Sequence, residues 1–251
     1  MANSIDSSNT LDHTAADAAP APQIRELNSS RFITLTYINL TCAVALFAVL
    51  ETLFFKLGDG DVVADYLCSL DAPNFKLYML GFYGAYIAGI FIANFIQSCS
   101  QIRAVKYFSL ALHVVLDAAF FVPILAIIQK YWGAAIIYQA IGLTAALFAT
   151  LSASVFITRK DFSFMRAGLL FAGTALLGLI LLHMLFGLNL GAWFTGATIG
   201  LLCMYLLYET SKLIYRENDE DDIDSAIELF ATFSTLFIYI LDCLVRSESN
   251  D

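Results

Sequence analysis

Seven apolar runs, near residues 33–55, 75–97, 106–128, 134–157, 166–186, 191–214 and 225–245, follow one another along the chain between polar, Gly or Pro breaks. A run of about 20 apolar residues matches the thickness of a bilayer core, and in lipid only helices and closed barrels satisfy every backbone N–H and C=O. Barrel strands would alternate apolar and polar residues in segments of about ten. These runs do not alternate, so each is expected to be a helix. With 59% of residues apolar and 14% charged, the chain has too little polar side chain to coat a water-soluble globule. The expectation is therefore an all-α, polytopic membrane bundle of seven transmembrane helices over residues 31–246. Residues 1–30, rich in Ala, Ser, Asp and Pro, lack the basic start and apolar stretch of a cleavable signal and read as a disordered tail. Residues 247–251 form a short polar tail.

The seventh run is interrupted by Glu228, Thr232, Ser234, Thr235 and Asp242. So polar a helix is unsuited to facing lipid, and its expected place is the middle of the bundle. The side on which the odd spans begin carries Arg25, Arg31, Arg103, Lys106, Arg159, Lys160, Arg166, Lys212 and Arg216, against Lys56, Lys76, Lys130 and Arg246 opposite. Nine basic residues against four place the N-terminus in the cytoplasm. The net charge of −9 makes nucleic acid an unsuitable partner. No Walker loop, His-Glu-x-x-His or serine-elbow motif is present, so neither an enzyme nor a cofactor is expected. The five cysteines show no C-x-x-C spacing and read as small core residues rather than metal ligands. Gly81, Gly84, Gly89, Gly142, Gly168, Gly173 and Gly178 are expected at close helix contacts.

Ionisable groups at membrane depth need a partner or a purpose. Glu51 and Asp242 lie within a turn of a span end and are expected to reach water. Glu209 and Glu228 fall on consecutive antiparallel spans, about 7 Å and 5 Å in from the same edge at 1.5 Å per residue. If they face each other they share a proton and form a gate or cation site; otherwise Glu228 points to water. His113 and Asp117, four residues apart, share one face of the third span. They form either a proton or cation relay near the midplane or a self-neutralising pair that fixes packing. His183, alone near the outer end of the fifth span, reads as a packing residue. Gly58-Asp59-Gly60-Asp61 is most simply a turn; with Asp65 and Asp71 it would gather cations at an outer mouth, although it lacks EF-hand spacing. No metal ligand set is assigned.

Four segments resemble a known family. Arg31-Phe32 leading to Tyr37 is similar to the opening of span one in the Bax inhibitor-1 family, and Ala140-Ile141-Gly142-Leu143-Thr144 to its span-four motif. Thr158-Arg159-Lys160-Asp161-Phe162-Ser163 resembles its Thr-(Lys/Arg)-(Lys/Arg)-Asp-Leu-Ser loop, and Tyr208-Glu209-Thr210-Ser211 its Tyr-Asp-Thr-Gln motif. The resemblance implies a pH-sensitive calcium leak channel in which spans six and seven each supply an acid. Glu209 matches the first. Thr232 stands where the second, an Asp, belongs, and Glu228 lies one turn earlier on nearly the same face. Calcium or another cation would then be the transported ion and the lipid bilayer the surroundings. The alternative is a membrane interaction protein, with membrane protein partners, that regulates stress survival or membrane proteolysis without conducting. Size and the short tail suggest a bacterial inner membrane.

Overall fold

The computed structural model describes residues 22–57, 60–186, 191–215 and 221–249; the side chains of residues 22–29, 57, 61, 181, 183 and 184 lie outside what is described. The described residues fold into helices α1 (Pro22–Leu57), α2 (Gly60–Ser69), α3 (Ala72–Cys99), α4 (Arg103–Trp132), α5 (Ala134–Thr158), α6 (Arg166–Phe186), α7 (Gly191–Tyr215) and α8 (Asp222–Glu248), with a 3-10 turn at Ser163–Met165 before α6. Seven of them are long and apolar enough to cross a membrane. The eighth, α2, is about 15 Å long at 1.5 Å per residue and cannot span. It occupies part of the segment read as a turn, and Asp61 and Asp65 lie on it. α1 begins at Pro22, within the stretch read as tail, and α8 runs on to Glu248.

Short connections make consecutive spans antiparallel. The tightest is Gly133, whose positive φ of 83° ends α4 while its N–H donates to Gln129 O at 3.0 Å. An L side chain is disfavoured at that φ, so glycine lets one residue both end α4 and begin the turn into α5. At the other end of α5, Arg159 takes the left-handed conformation (φ 46°) and donates its N–H to Val155 O at 2.8 Å. Asp221 caps α8, its carboxylate accepting from the Ile223 N–H at 3.2 Å.

Half of the apolar window is buried in both α4 and α8, against 6% in α3 and α6, so the first two line the interior and the last two face lipid. α8 lies against α1, α4, α5 and α7. Aromatic rings tie this interior together: Phe47 of α1 meets Phe121 of α4 at 5.3 Å and Phe230 of α8 at 6.0 Å, and Phe121 meets Phe237 at 5.6 Å between centroids.

Two expectations about small residues are corrected. Cys42, Cys68, Cys99 and Cys243 are exposed on the outside of the bundle, and Cys203 is half-buried. A thiol is apolar enough to sit against acyl chains, so in a membrane it need not be in the protein core. Of the glycines expected at close contacts, Gly89 alone has one, where an added Cβ would come within 2.9 Å of Leu116 on α4; an added Cβ at any of the other six would meet no neighbouring helix within 4 Å. Their missing side chains face open surface.

Candidate functional site

The α7–α8 hairpin brings its two acids to one depth. Glu209 lies six residues before the end of α7 at Tyr215, and Glu228 six residues after the start of α8 at Asp222, each about 9 Å along its helix. Their carboxyl groups converge on one ammonium, that of Lys212, and the phenol of Tyr205, one turn before Glu209, lies beside them. Two carboxyl groups brought this near in a low dielectric repel each other unless one is protonated or a cation lies between them. Lys212, three residues past Glu209, reaches between them: its Nζ lies 2.7 Å from Glu228 Oε2 and 3.6 Å from Glu209 Oε2. Exposure falls steeply across the group, from 42% of the Glu228 side chain to 10% of Lys212 and 4% of Glu209. Glu228 is therefore the outermost of the three. Thr232, one turn on, is buried, and its hydroxyl donates to Glu228 O at 3.0 Å within its own helix.

The loop before α6 is fastened to the same stretch of α7. The Phe162 N–H donates to Ser211 Oγ at 3.0 Å, Ser211 Oγ donates to Lys160 O at 3.3 Å, and the Tyr215 hydroxyl donates to Arg159 O. Two sequence segments about fifty residues apart thus form one surface beside the acid pair.

His113 and Asp117 share a buried face of α4, but no hydrogen bond or ion pair joins them. Asp117 accepts from Tyr86 Oη of α3 at 2.9 Å and from Ser234 Oγ of α8 at 2.7 Å. His113 sets Nδ1 2.8 Å from Ser109 O and Nε2 3.2 Å from Asn94 Oδ1. The i,i+4 spacing aligned the two residues correctly, but neighbouring helices offered each a closer partner. At the far end, Asp65 pairs with Lys130 and Asp71 holds the N-cap position of α3 without a side-chain cap bond. Asp59 and the Asp61 side chain lie outside the described residues, as does the side chain of His183. Asp242 accepts from Thr195 Oγ1 at 2.6 Å and Arg246 Nε at 2.8 Å. Glu51 departs from its expectation of reaching water: it is 8% exposed, and neither carboxyl oxygen has a hydrogen-bond partner. α1 extends past it to Leu57, which places Glu51 nearly two turns from the helix end rather than at it.

Residues 29–250 match the family described as inhibitor of apoptosis-promoting Bax1. The chain belongs to the Bax inhibitor-1 family. Among its relatives, Bax inhibitor 1 of Schizosaccharomyces pombe is 31% identical over 126 residues, covering 48% of this chain and 46% of that one. An uncharacterised protein of Campylobacter jejuni is 34% identical over 113 residues, covering 45% of this chain and 48% of the relative. One of Pseudomonas aeruginosa is 29% identical over 177 residues, covering 68% and 74%. The chain spans about half the length of most of the curated relatives it matches.

A second polar group in this Bax inhibitor-1 member escaped the sequence reading. At the end of the bundle that holds the acid pair, Asp222 accepts from Asn39 Nδ2 of α1 at 3.0 Å and from Arg103 of α4 at 2.9 Å. Asp224 accepts from Gln97 Nε2 of α3 at 2.9 Å and from Lys106 Nζ at 2.7 Å, and Lys106 also reaches Asp221 at 3.0 Å. Read along the chain, these residues were loop charges and an orientation signal. The one available hint was Lys106 at the very start of an apolar run, where a cation needs a counter-charge. Burial pushes the Asp221 carboxyl up, but the Ile223 N–H and the Lys106 ammonium outweigh it, and the group titrates below the ordinary carboxylate range.

Proposed function

We propose that this Bax inhibitor-1 family member is a proton-regulated cation leak pathway running beside α8, with Glu209 and Glu228 as its gate. Calcium is the ion that the family resemblance implies, the asymmetry of basic residues supports a cytoplasmic N-terminus, and the membrane is read as a bacterial inner membrane from size and the short tail. The observation that carries the reading is the convergence of the two carboxyl groups, at equal depth on adjacent helices, on the Lys212 ammonium 2.7 Å from Glu228 and 3.6 Å from Glu209. While one proton is shared, the pair holds itself closed. When that proton leaves, two adjacent negative charges repel each other and attract a cation from the watery side of Glu228. The gate works by binding and releasing charge and involves no catalytic step. Glu228 takes over the role of the acid that Thr232 replaces, one turn nearer the membrane edge.

The test is calcium flux from purified protein in liposomes across a range of pH. Glu209→Gln and Glu228→Gln should each remove most of the pH dependence, because each deletes one half of the proton-sharing pair while nearly keeping its shape. Thr232→Asp should shift the midpoint by adding an acid on the same face. If Glu228→Gln leaves the profile untouched while Glu209→Gln abolishes it, Glu228 is a solvated residue and Glu209 acts alone. The second reading, a membrane interaction protein that conducts nothing, is favoured by the loss of the span-seven Asp at Thr232, and takes over if wild-type protein passes no ion.

A further inference from the structure

Lys212 lies in the acid pair itself. Its Nζ is 2.7 Å from Glu228 and 3.6 Å from Glu209, and its side chain is only 10% exposed. A lysine in a surface ion pair leaves its ammonium in water, because the exposed pair gains little and the flexible stem is expensive to order. Here the chain has instead buried a strongly hydrated point charge between two carboxyls, hydrogen-bonded to one and within ion-pair range of the other. That position is the one an entering cation would take: within reach of both acids, and inward of the exposed Glu228. With one shared proton the group of Glu209, Glu228 and Lys212 is electrically neutral, the state a low-dielectric site favours. A mobile cation entering without displacing the ammonium would face a like charge at contact distance.

We infer that Lys212 is a tethered counter-ion that fills the acid pair in place of a mobile cation, so that entry of a divalent cation requires this side chain to swing out. The inference rests on reading Glu209 and Glu228 as a cation site, and it adds what regulates that site. The stem of Lys212 is on the last turn of α7, with the watery end of the bundle one turn away, so the ammonium has a polar place to go. Tyr205 on α7 faces the group from a neighbouring position, and its phenol can follow either state by rotating its hydroxyl.

The experiment uses the full chain with calcium ion as the probe and two readouts, calcium binding by titration in detergent and calcium flux in liposomes, at one pH near neutrality. Lys212→Met and Lys212→Gln remove the ammonium, and Lys212→Arg keeps a cation. Both neutral variants should bind calcium at least about tenfold more tightly than wild type, because a like charge within about 4 Å has gone, and their flux should rise, while Lys212→Arg stays close to wild type. Tighter binding with no flux in any variant keeps the tethered counter-ion and removes conduction. Flux in wild type that both neutral variants leave unchanged, with binding also unchanged, keeps conduction and overturns the inference. Neither binding nor flux in any protein overturns both. Should the neutral variants be poorly folded, millimolar calcium should restore their melting temperature by refilling the vacated place; a melting temperature indifferent to calcium overturns the inference.

Discussion

Both carboxylate oxygens of Asp117 are taken by hydroxyls from other helices, Tyr86 on α3 and Ser234 on α8, so this one residue fastens three helices at the level of the buried core. A buried acceptor deprived of its donor costs about 1–3 kcal/mol. Ser234→Ala and Tyr86→Phe should therefore each lower thermal stability in detergent by that order. A double-mutant cycle of Asp117→Leu with Ser234→Ala should show coupling of about 1 kcal/mol or more, and one of Asp117→Leu with His113→Leu a smaller value. Equal coupling in the two cycles would mean that His113 is the true counter-group. At this scale the sequence made depth readable: Glu209 and Glu228 lie at one level on consecutive helices, while their facing one another was one of two open alternatives, and both come to the Lys212 ammonium. It could not show partners, because hydroxyls such as Tyr86 and Ser234 are equally at home facing lipid, water or a carboxylate, and only tertiary contact decides among these.

The first turn of α8 is heavily bonded, with Asp221, Asp222 and Asp224 distributed over Arg103, Lys106, Asn39 and Gln97. The members of this clasp are not equal. The Arg103 side chain is 56% exposed, so Arg103→Gln should change stability by no more than about 1 kcal/mol. The Lys106 side chain is 5% exposed and serves two aspartates, so Lys106→Met should cost several kcal/mol and move the unfolding midpoint far more. Acid should loosen the same clasp. Asp221 titrates lower in the folded protein than in the unfolded chain, so its stabilisation is present above the unfolded value near 4 and disappears as pH falls through the folded value. Wild-type melting temperature should then fall on acidification below about pH 4 by more than that of Asp221→Asn, whose side chain does not titrate. Elements as such were legible wherever a full apolar run existed. α2 was not, because Gly58-Asp59-Gly60-Asp61 carries turn residues at the point where the helix begins, and its ten residues gain their order from packing on α4.

Across the whole molecule, native thiols at both ends offer a direct check of orientation. Cys68 lies on α2 at one end of the bundle, and Cys99 is the last residue of α3 at the other; both are exposed. With the N-terminus in the cytoplasm, a membrane-impermeant maleimide applied to intact cells should label protein that keeps only Cys68 and spare protein that keeps only Cys99 until the membrane is opened. The reverse pattern would invert the proposed topology. The bonds between the 159–162 loop and the end of α7 have a consequence for engineering. Phe162, Ser211 and Tyr215 make residues 159–162 and 208–215 a single module that the chain happens to encode in two pieces. A chimera that takes only the α7 piece from a family member without Ser211 and Tyr215 removes the hydroxyls that hold the Phe162 amide and the Lys160 and Arg159 carbonyls, and so loosens the α5–α6 loop from the helix bearing Glu209, whereas exchanging both pieces together should transplant the intact mount on which that acid is carried.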